Sequence, residues 1–313
     1  MTPDIDIRHL SVWFDTAQGP VHAVRDLSTT FQAGRISGVI GESGSGKSVM
    51  GMSLLRLLPS TAKVSGECRF GDRDLYSIPM RELRKVRGAA IGLIPQNPNA
   101  SLNPVMKLGR QISEAITTHH RLGRRMAVHR SAELLAQFGF ECPEDILNRY
   151  AFQMSGGMNQ RLVSTLGLAC QPGWIIADEP TKGLDAVLRG QVCSVLRSIH
   201  TLHHSSMIVI THDLHLARWL CDEIKVLYMG QIIEQGRAEE IMEQACHPYT
   251  VGLIHSLPGR GMEPIPVPDP ARMPHAGCPF YPRCAKAKPQ CGKEIPDEYT
   301  LPGGRKVRCF LYA

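Results

Sequence analysis

Eight consecutive residues, Gly41-Glu42-Ser43-Gly44-Ser45-Gly46-Lys47-Ser48, carry the spacing G-x-x-x-x-G-K-[ST]. Those residue types at that spacing grip phosphate. Glycines let backbone N–H groups curl around phosphate oxygens, the lysine reaches the β- and γ-phosphates, and the hydroxyl after it ligates Mg²⁺. The pattern therefore predicts a cradle of Gly41, Ser43, Gly44, Ser45 and Gly46, with Lys47 on the phosphates and Ser48 on the metal ion. A second chemical pair, Asp178-Glu179, closes the apolar run Trp174-Ile175-Ile176-Ala177. A carboxylate at such a strand end holds Mg²⁺ directly or through water. The carboxylate after it can orient and deprotonate an attacking water. Unpaired buried charge is costly, so two adjacent carboxylates ending a buried strand call for such a role. A third element, Ser155-Gly156-Gly157 opening the helix that carries Gln160, is again an anion-binding helix start. One chain has no use for two such sites on one nucleotide unless the second serves the nucleotide of another subunit.

The elements around these residues must position them. Ile36-Ser37-Gly38-Val39-Ile40 reads as a short buried strand leading into the loop, and Lys47 to Leu58 as a helix stopped by Pro59. Strand, glycine loop and helix is the context a phosphate loop needs. Residues 5–34 alternate loosely, with Val12, Trp13, Phe14, Val21 and Val24, and predict antiparallel strands. The runs 91–94, 174–177 and 207–210 are apolar without alternation, as suits parallel strands buried on both faces. About 105–170 reads helical, most clearly at 109–120 and 125–138. Beyond 257 the composition shifts: Pro258, Pro264, Pro266, Pro268, Pro270 and Pro274 predict a stiff extended linker, followed by a short tail bearing cysteines.

With 313 residues, 43% hydrophobic and 20% charged, the composition is that of an ordinary soluble globular protein. No apolar run approaches the roughly 18–20 residues that span a bilayer. The start, from Met1 to Asp6, lacks the basic and apolar segments of a signal peptide, so a cytosolic location is expected. Net charge of +6 is mild, and the Lys and Arg residues are scattered, so nucleic acid is not an expected partner. Ten cysteines in a cytosolic chain argue against a disulfide framework. Four of them, Cys278, Cys284, Cys291 and Cys309, follow the spacing C-x5-C-x6-C-x17-C and form a plausible four-ligand metal site, with His275 as a spare ligand. The pattern lacks the C-x2-C knuckles of structural zinc. A cluster, a zinc ion and unligated thiols all remain open on spacing alone. Cysteines 68, 142, 170, 193, 221 and 246 are dispersed and read as ordinary core or surface residues.

Met154-Ser155-Gly156-Gly157-Met158-Asn159-Gln160 resembles the L-S-G-G-x-x-Q signature of the ATP-binding cassette ATPases, with Met154 in place of Leu, a volume-conserving change. The resemblance covers nearly the whole chain. It implies an α/β fold, a P-loop ATPase cassette with a RecA-like parallel core, an antiparallel β subdomain and a helical subdomain. The expected domains are 1–256 for the ATPase, with the helical subdomain at about 97–165, and 257–313 for the linker and tail. By the resemblance, Gln96 contacts Mg²⁺ and the attacking water, His212 hydrogen-bonds the γ-phosphate, and Phe14, or its neighbour Trp13, stacks on adenine. The absence of an N-K-x-D guanine-reading motif favours ATP. The segment after Glu179 usually reads S-A-L-D in the family; here it is Lys182-Gly183-Leu184-Asp185, which keeps Asp185 and alters the rest.

Within the family, the absence of fused membrane spans, long heptads and a second cassette disfavours exporters, repair ATPases and translation factors. His247-Pro248-Tyr249-Thr250 and the tail Cys278-Pro279-Phe280-Tyr281-Pro282-Arg283-Cys284 resemble the D-type subunits of oligopeptide, dipeptide and nickel importers. That resemblance implies a peptide importer ATPase, with nickel or a nickel chelate as the alternative cargo. Its implied partners are a second, related ATPase in a heterodimer, two integral permeases and an extracytoplasmic solute-binding protein. Its implied place is peripheral, on the cytoplasmic face of the inner membrane. In that group the tail is associated with a [4Fe–4S] cluster, with Zn²⁺ as the alternative. The competing classes are a soluble non-transport cassette ATPase and a subunit that binds nucleotide but barely hydrolyses it. Under the importer reading Glu179 is the general base, while Lys47, Mg²⁺ and His212 stabilise charge on the γ-phosphate.

Overall fold

The computed structural model describes residues 2–257, 260–266 and 276–313. Pro258, Pro268, Pro270 and Pro274 of the expected linker, the spare ligand His275 and the start residue Met1 lie outside the described residues. The strands in chain order are β1 (Ile5–Thr16), β2 (Gly19–Phe31), β3 (Ile36–Ile40), β4 (Ala62–Phe70), β5 (Arg73–Asp74), β6 (Ile91–Ile94), β7 (Trp174–Asp178), β8 (Ser206–Thr211), β9 (Glu223–Tyr228), β10 (Gln231–Arg237), β11 (Tyr299–Thr300) and β12 (Lys306–Val307). The helices are α1 (Lys47–Leu54), α2 (Met80–Val86), α3 (Pro98–Ser101), α4 (Leu108–His119), α5 (Arg124–Gln137), α6 (Pro143–Asn148), α7 (Gly156–Gly167), α8 (Ala186–His203), α9 (Leu214–Leu220), α10 (Ala238–Gln244) and α11 (Pro248–His255). The chain divides into two units that interleave along the sequence. The first comprises Met1–Ile5, Phe31–Ile36 and Arg69–Ile210; the second comprises Asp6–Thr30, Ser37–Cys68 and Thr211–Ala313.

In the first unit β6, β7 and β8 are parallel, with Ile91 opposite Trp174 and Trp174 opposite Ser206. Every residue of β7 and β8 is buried, which is why their apolar runs show no alternation. Trp174 is fully buried, and its indole N–H donates to the Pro3 carbonyl at 2.8 Å. Between β6 and β7 the chain is helical. α4 buries Leu108, Ile112 and Ile116 as one stripe at helical spacing and packs on α5 and α6. Each side chain fully buried in this way stabilises the fold by about 1.5–3 kcal/mol.

In the second unit only two residues, Ala17 and Gln18, join β1 to β2, a connection that only antiparallel strands allow. β3 and β9 pair in parallel, from Ser37 opposite Glu223 to Ile40 opposite Val226. β10 turns back on β9 through Met229 and Gly230, whose φ angles of 46° and 80° suit a tight hairpin turn. The tail then extends this sheet. β12 pairs antiparallel with β10, Glu234 opposite Val307, and β11 pairs with β12.

α1 is shorter than its pattern predicts and ends at Leu54 rather than Leu58. Arg56 takes φ 51°, and the N–H groups of Arg56 and Leu57 donate to the carbonyls of Ser53 and Met52 at 2.8 and 3.0 Å. This left-handed cap has an arginine where glycine is usual. Pro59 then only bars the helix from resuming.

Candidate functional site

The phosphate loop lies in the second unit, between β3 and α1. No side chain caps α1, and Gly46 before it is left-handed at φ 99°. A helix start of this kind presents N–H groups and the positive end of the helix dipole to an anion. A Cβ on Gly41, at φ 152°, would collide with the Leu227 carbonyl oxygen, and one on Gly46 with the Ala23 carbonyl oxygen. The backbone of β9 and β2 thus fixes both glycines. Ser45 is buried and its carbonyl accepts the Gly230 N–H at 2.9 Å, while Arg25 N–H donates to Gly230 O at 3.0 Å. The β9–β10 turn therefore clips the loop to β2. Lys47 is buried, and its ammonium donates to the carbonyls of Gly41 and Glu42 at 2.8 and 2.7 Å. Ser43 and Gly44 stand exposed at the loop tip, and Ser48 is half-buried.

Glu42 fills a variable position of the loop pattern, and motif spacing assigns it nothing. In the structure its N–H donates to Tyr249 Oη at 2.8 Å. Its carboxylate accepts both arms of the Arg283 guanidinium, Nη1 to Oε2 at 2.9 Å and Nη2 to Oε1 at 2.8 Å. Arg283 also donates to Tyr228 Oη at 3.2 Å and through Nε to the Pro266 carbonyl. The Glu42 hydrogen bonds hold its guanidinium more firmly protonated than usual. Tyr228, Tyr249 and Phe280 pack ring to ring around this pair, 4.6–5.5 Å between centroids. Their burial lifts the Tyr249 hydroxyl well above the ordinary phenol range.

Cys278, Cys284, Cys291 and Cys309 line one pocket, with His247 and Phe280 among its walls. Desolvation raises the thiols of Cys278, to about 11, and of Cys284 and Cys309. Each of the four sulfurs meets a backbone N–H: Phe280 at Cys278, Lys286 at Cys284, Leu311 at Cys309, and Lys288 at Cys291, where the N···S distance is 3.3 Å. Those N–H groups offset part of the desolvation, and the net shift at Cys278, Cys284 and Cys309 still favours the neutral thiol. Among the described residues, no three His, Cys, Asp or Glu side chains converge as ligands for one metal ion. The other cysteines behave as their dispersal predicts: Cys68, Cys170, Cys193 and Cys221 are buried, Cys142 is exposed and Cys246 intermediate.

The carboxylates lie in the first unit. Asp178 ends β7 and is 4% exposed; Glu179 is 6% exposed and left-handed at φ 49°. A non-glycine residue there costs of order 1–3 kcal/mol, and such strain collects at functional positions. The bend is held from both sides, by Glu179 N–H on Ile210 O at 2.8 Å and by Lys182 N–H on Glu179 O at 3.1 Å. Gln96 is exposed just after β6, where Asn97 caps α3 by accepting the Asn99 N–H at 3.2 Å.

Ser155 caps α7, its hydroxyl accepting the Met158 N–H at 3.3 Å, and a Cβ on Gly156 would meet open space. Gly157 faces Leu184 of the altered loop and Leu188 of α8. Gln160 is 1% exposed, and its amide donates to Pro180 O at 3.2 Å. The side chain expected at the nucleotide therefore also ties α7 to the residue after Glu179. Asp185 caps α8 through the Leu188 N–H at 2.9 Å. Gly183 has φ 75°, which accounts for a glycine there; nothing in the structure explains the exposed Lys182.

In the second unit Phe14 is half-buried on β1, and Trp13 stacks on His22 with centroids 5.9 Å apart. His212 is exposed immediately before Asp213, which caps α9 by accepting the His215 and Leu216 N–H groups at 3.0 and 3.1 Å. No helix among the described residues is long and apolar enough to cross a membrane.

Comparison with known proteins matches residues 24–182 to the family described as ABC transporter, and residues 233–291 to the Oligopeptide/dipeptide transporter, C-terminal region. Oligopeptide transport ATP-binding protein OppD of Haemophilus influenzae is 36% identical, over 100% of this chain and 98% of that one. Oligopeptide transport ATP-binding protein AppD of Bacillus subtilis is 35% identical over the same shares. A putative peptide import ATP-binding protein of Brucella abortus is 38% identical over 98% of this chain and 94% of its own. Among solved structures, an ATP-binding cassette in a dimeric, post-hydrolysis state with ADP and Pi superposes with a TM-score of 0.68 at 24% identity, covering 75% of this chain and 98% of that one. At those identities the agreement with solved structures is one of fold.

Proposed function

We propose, on the premise that this chain belongs to the ABC transporter family, that it is the ATP-hydrolysing subunit of an importer for di- and oligopeptides. The chain is an ATPase. One observation carries the cargo: similarity to oligopeptide transport ATP-binding proteins runs the full length, through the tail as well as the cassette. A nickel or nickel-chelate cargo has no counterpart in those relatives.

The motif positions support a division of labour. The loop from Gly41 to Ser48 holds the ATP phosphates, with Lys47 on the β- and γ-phosphates. Ser48, Gln96 and Asp178 are the Mg²⁺ ligands. Glu179 takes the proton from the attacking water, His212 steadies the γ-phosphate, and Phe14 or Trp13 carries the adenine. The start of α7 at Ser155-Gly156-Gly157, exposed at Ser155 and Gly156, serves the nucleotide of a second ATPase subunit, with Gln160 behind it and Asp185 on the adjoining loop. That subunit is a related but distinct chain. Two integral permeases and an extracytoplasmic solute-binding protein complete the importer, and this subunit sits peripherally on the cytoplasmic face of the membrane.

For the tail, Cys278, Cys284, Cys291 and Cys309, which line one pocket, are the residues that would hold the [4Fe–4S] cluster implied by the tail's resemblance. A bound cluster would fasten the 278–284 turn to the segments that carry Cys291 and Cys309. Zinc is the alternative, and iron, sulfide and zinc analysis of the purified chain decides between them.

The transport reading is tested in cells lacking this gene. Uptake of a labelled dipeptide or short oligopeptide is expected to fall to background and to return with the gene, while labelled Ni²⁺ uptake is unchanged. Peptide uptake that persists without the gene overturns it.

A further inference from the structure

The phosphate loop grips its ligand with backbone N–H groups, so whatever fixes that backbone fixes the grip. Glu42 is held at three points: its N–H by Tyr249, its carbonyl by Lys47 and its carboxylate by both arms of Arg283. The guanidinium approaches from the tail, 241 residues further along the chain. Its side chain is only 4% exposed, and Tyr228 and Pro266 hold it in addition to Glu42. The Arg283 N–H donates to Phe280 O at 3.0 Å, closing the short turn that runs from Cys278 to Cys284. Arg283 is thus bonded covalently to Cys284, a wall of the thiol pocket, and by two charge-assisted hydrogen bonds to the loop. A bidentate, mostly buried guanidinium–carboxylate pair fixes orientation as well as distance.

We propose that Arg283 is a positioning residue for the phosphate loop, and that the thiol pocket acts through it to set the affinity for ATP. The turn places Arg283 only while Cys278 and Cys284 are held. When they are, Glu42 is drawn toward the tail and the loop keeps its phosphate-ready shape. When they are released, the guanidinium loses its anchor and the loop loses one of its three holds. The coupling rests on the tail carrying a thiolate-bound group, as read above; the Arg283–Glu42 contact itself does not.

The test is a set of ATP-binding titrations and ATPase assays on the full-length chain, with iron content measured on every sample. Arg283→Ala is expected to raise the Kd and KM for ATP about tenfold while kcat falls far less, the split that distinguishes positioning from catalysis. Arg283→Lys keeps the charge without the fork and should fall between Arg283→Ala and the parent. Glu42→Gln breaks the pair from the loop side and should give a similar loss, even if Arg283→Ala fails to fold. The double variant should bind no worse than the weaker single, because both changes cut one link. Cys284→Ser should weaken ATP binding in the parent and add little to Arg283→Ala. Unchanged ATP affinity in Glu42→Gln and Arg283→Lys overturns the proposal, as do additive effects in the double variant. Normal affinity in Cys284→Ser overturns the coupling. An iron- and zinc-free parent sinks the metal reading and the coupling that rests on it, and leaves the Arg283–Glu42 comparison standing.

Discussion

The amide of Gln160 on α7 donates to the carbonyl oxygen of Pro180 at 3.2 Å, so the helix that starts at Ser155 holds the residue following Glu179. Removing the side chain leaves a buried carbonyl without this donor. Gln160→Ala is expected to cost about 1–3 kcal/mol of stability. It should also lower kcat about tenfold or more, the scale on which displaced catalytic groups lose rate. ATP affinity should stay close to the parent's. Thermal unfolding and steady-state ATPase assays on the same preparation check this, and a parent-like kcat would refute the tie.

Glu179 combines a carboxylate with a left-handed backbone at φ 49°. Glu179→Gln keeps the shape and removes the base, so turnover should fall about 10²–10⁴-fold while ATP binding survives. Glu179→Gly also abolishes turnover, yet relieves backbone strain, so its stability should match or exceed the parent's by up to about 1 kcal/mol. Residual turnover near the parent level in Glu179→Gln would remove this residue from its role.

Two glycines at positive φ should respond differently to alanine. At Gly46 a Cβ meets the Ala23 carbonyl, and the loop must shift to admit it. Gly46→Ala should lose ATP binding or fail to fold. At Gly183 a Cβ meets nothing. Gly183→Ala should cost only backbone strain, about 1 kcal/mol, with ATP affinity unchanged. Equilibrium unfolding and nucleotide titration separate the two outcomes.

His247 caps α11 with a neutral ring, Nδ1 accepting the Tyr249 N–H at 3.0 Å, and burial depresses its pKa from 6.5 to about 3. The unfolded chain therefore binds the extra proton first as pH falls. The stability from the neutral ring is whole above about pH 6.5 and drains away toward pH 3, at up to about 1.4 kcal/mol per pH unit. Glu234, which accepts the Cys246 and His247 N–H groups at 2.7 and 2.9 Å, is raised by burial and titrates in the opposite sense. His247→Asn retains a cap acceptor and removes the titration. Its stability should decline less than the parent's between pH 7 and 5, and parallel curves would refute the assignment.

Local pattern carried the elements that bear the motif residues a long way. The phosphate loop, the strand ending in Asp178 and Glu179, and the α7 start were each legible because all their residues are close in sequence and their spacing is dictated by one backbone geometry. The unalternating runs at β6, β7 and β8 were legible for the same reason: burial on both faces leaves a mark on every residue. What pattern could not supply were contacts made by folding. Glu42 occupies a free position of its motif, and Arg283 follows a proline in a tail rich in turns; no periodicity links them. Nor could spacing show that Gln160 turns inward to Pro180. The early end of α1 was hidden because Arg56 adopts a conformation for which sequence reading looks to glycine. Strands of two residues, β11 and β12, are too short to carry a period.

Those two strands give the tail a further task. β12 covers the outer side of β10, so a chain cut before Tyr299 would leave β10 with unpaired N–H and C=O groups beside Glu234 and Gln235. Such an open rim recruits other chains. Shortened versions of this protein should self-associate under conditions in which the full chain stays dispersed, and loss of transport in such a truncation would report clumping as much as any missing chemistry.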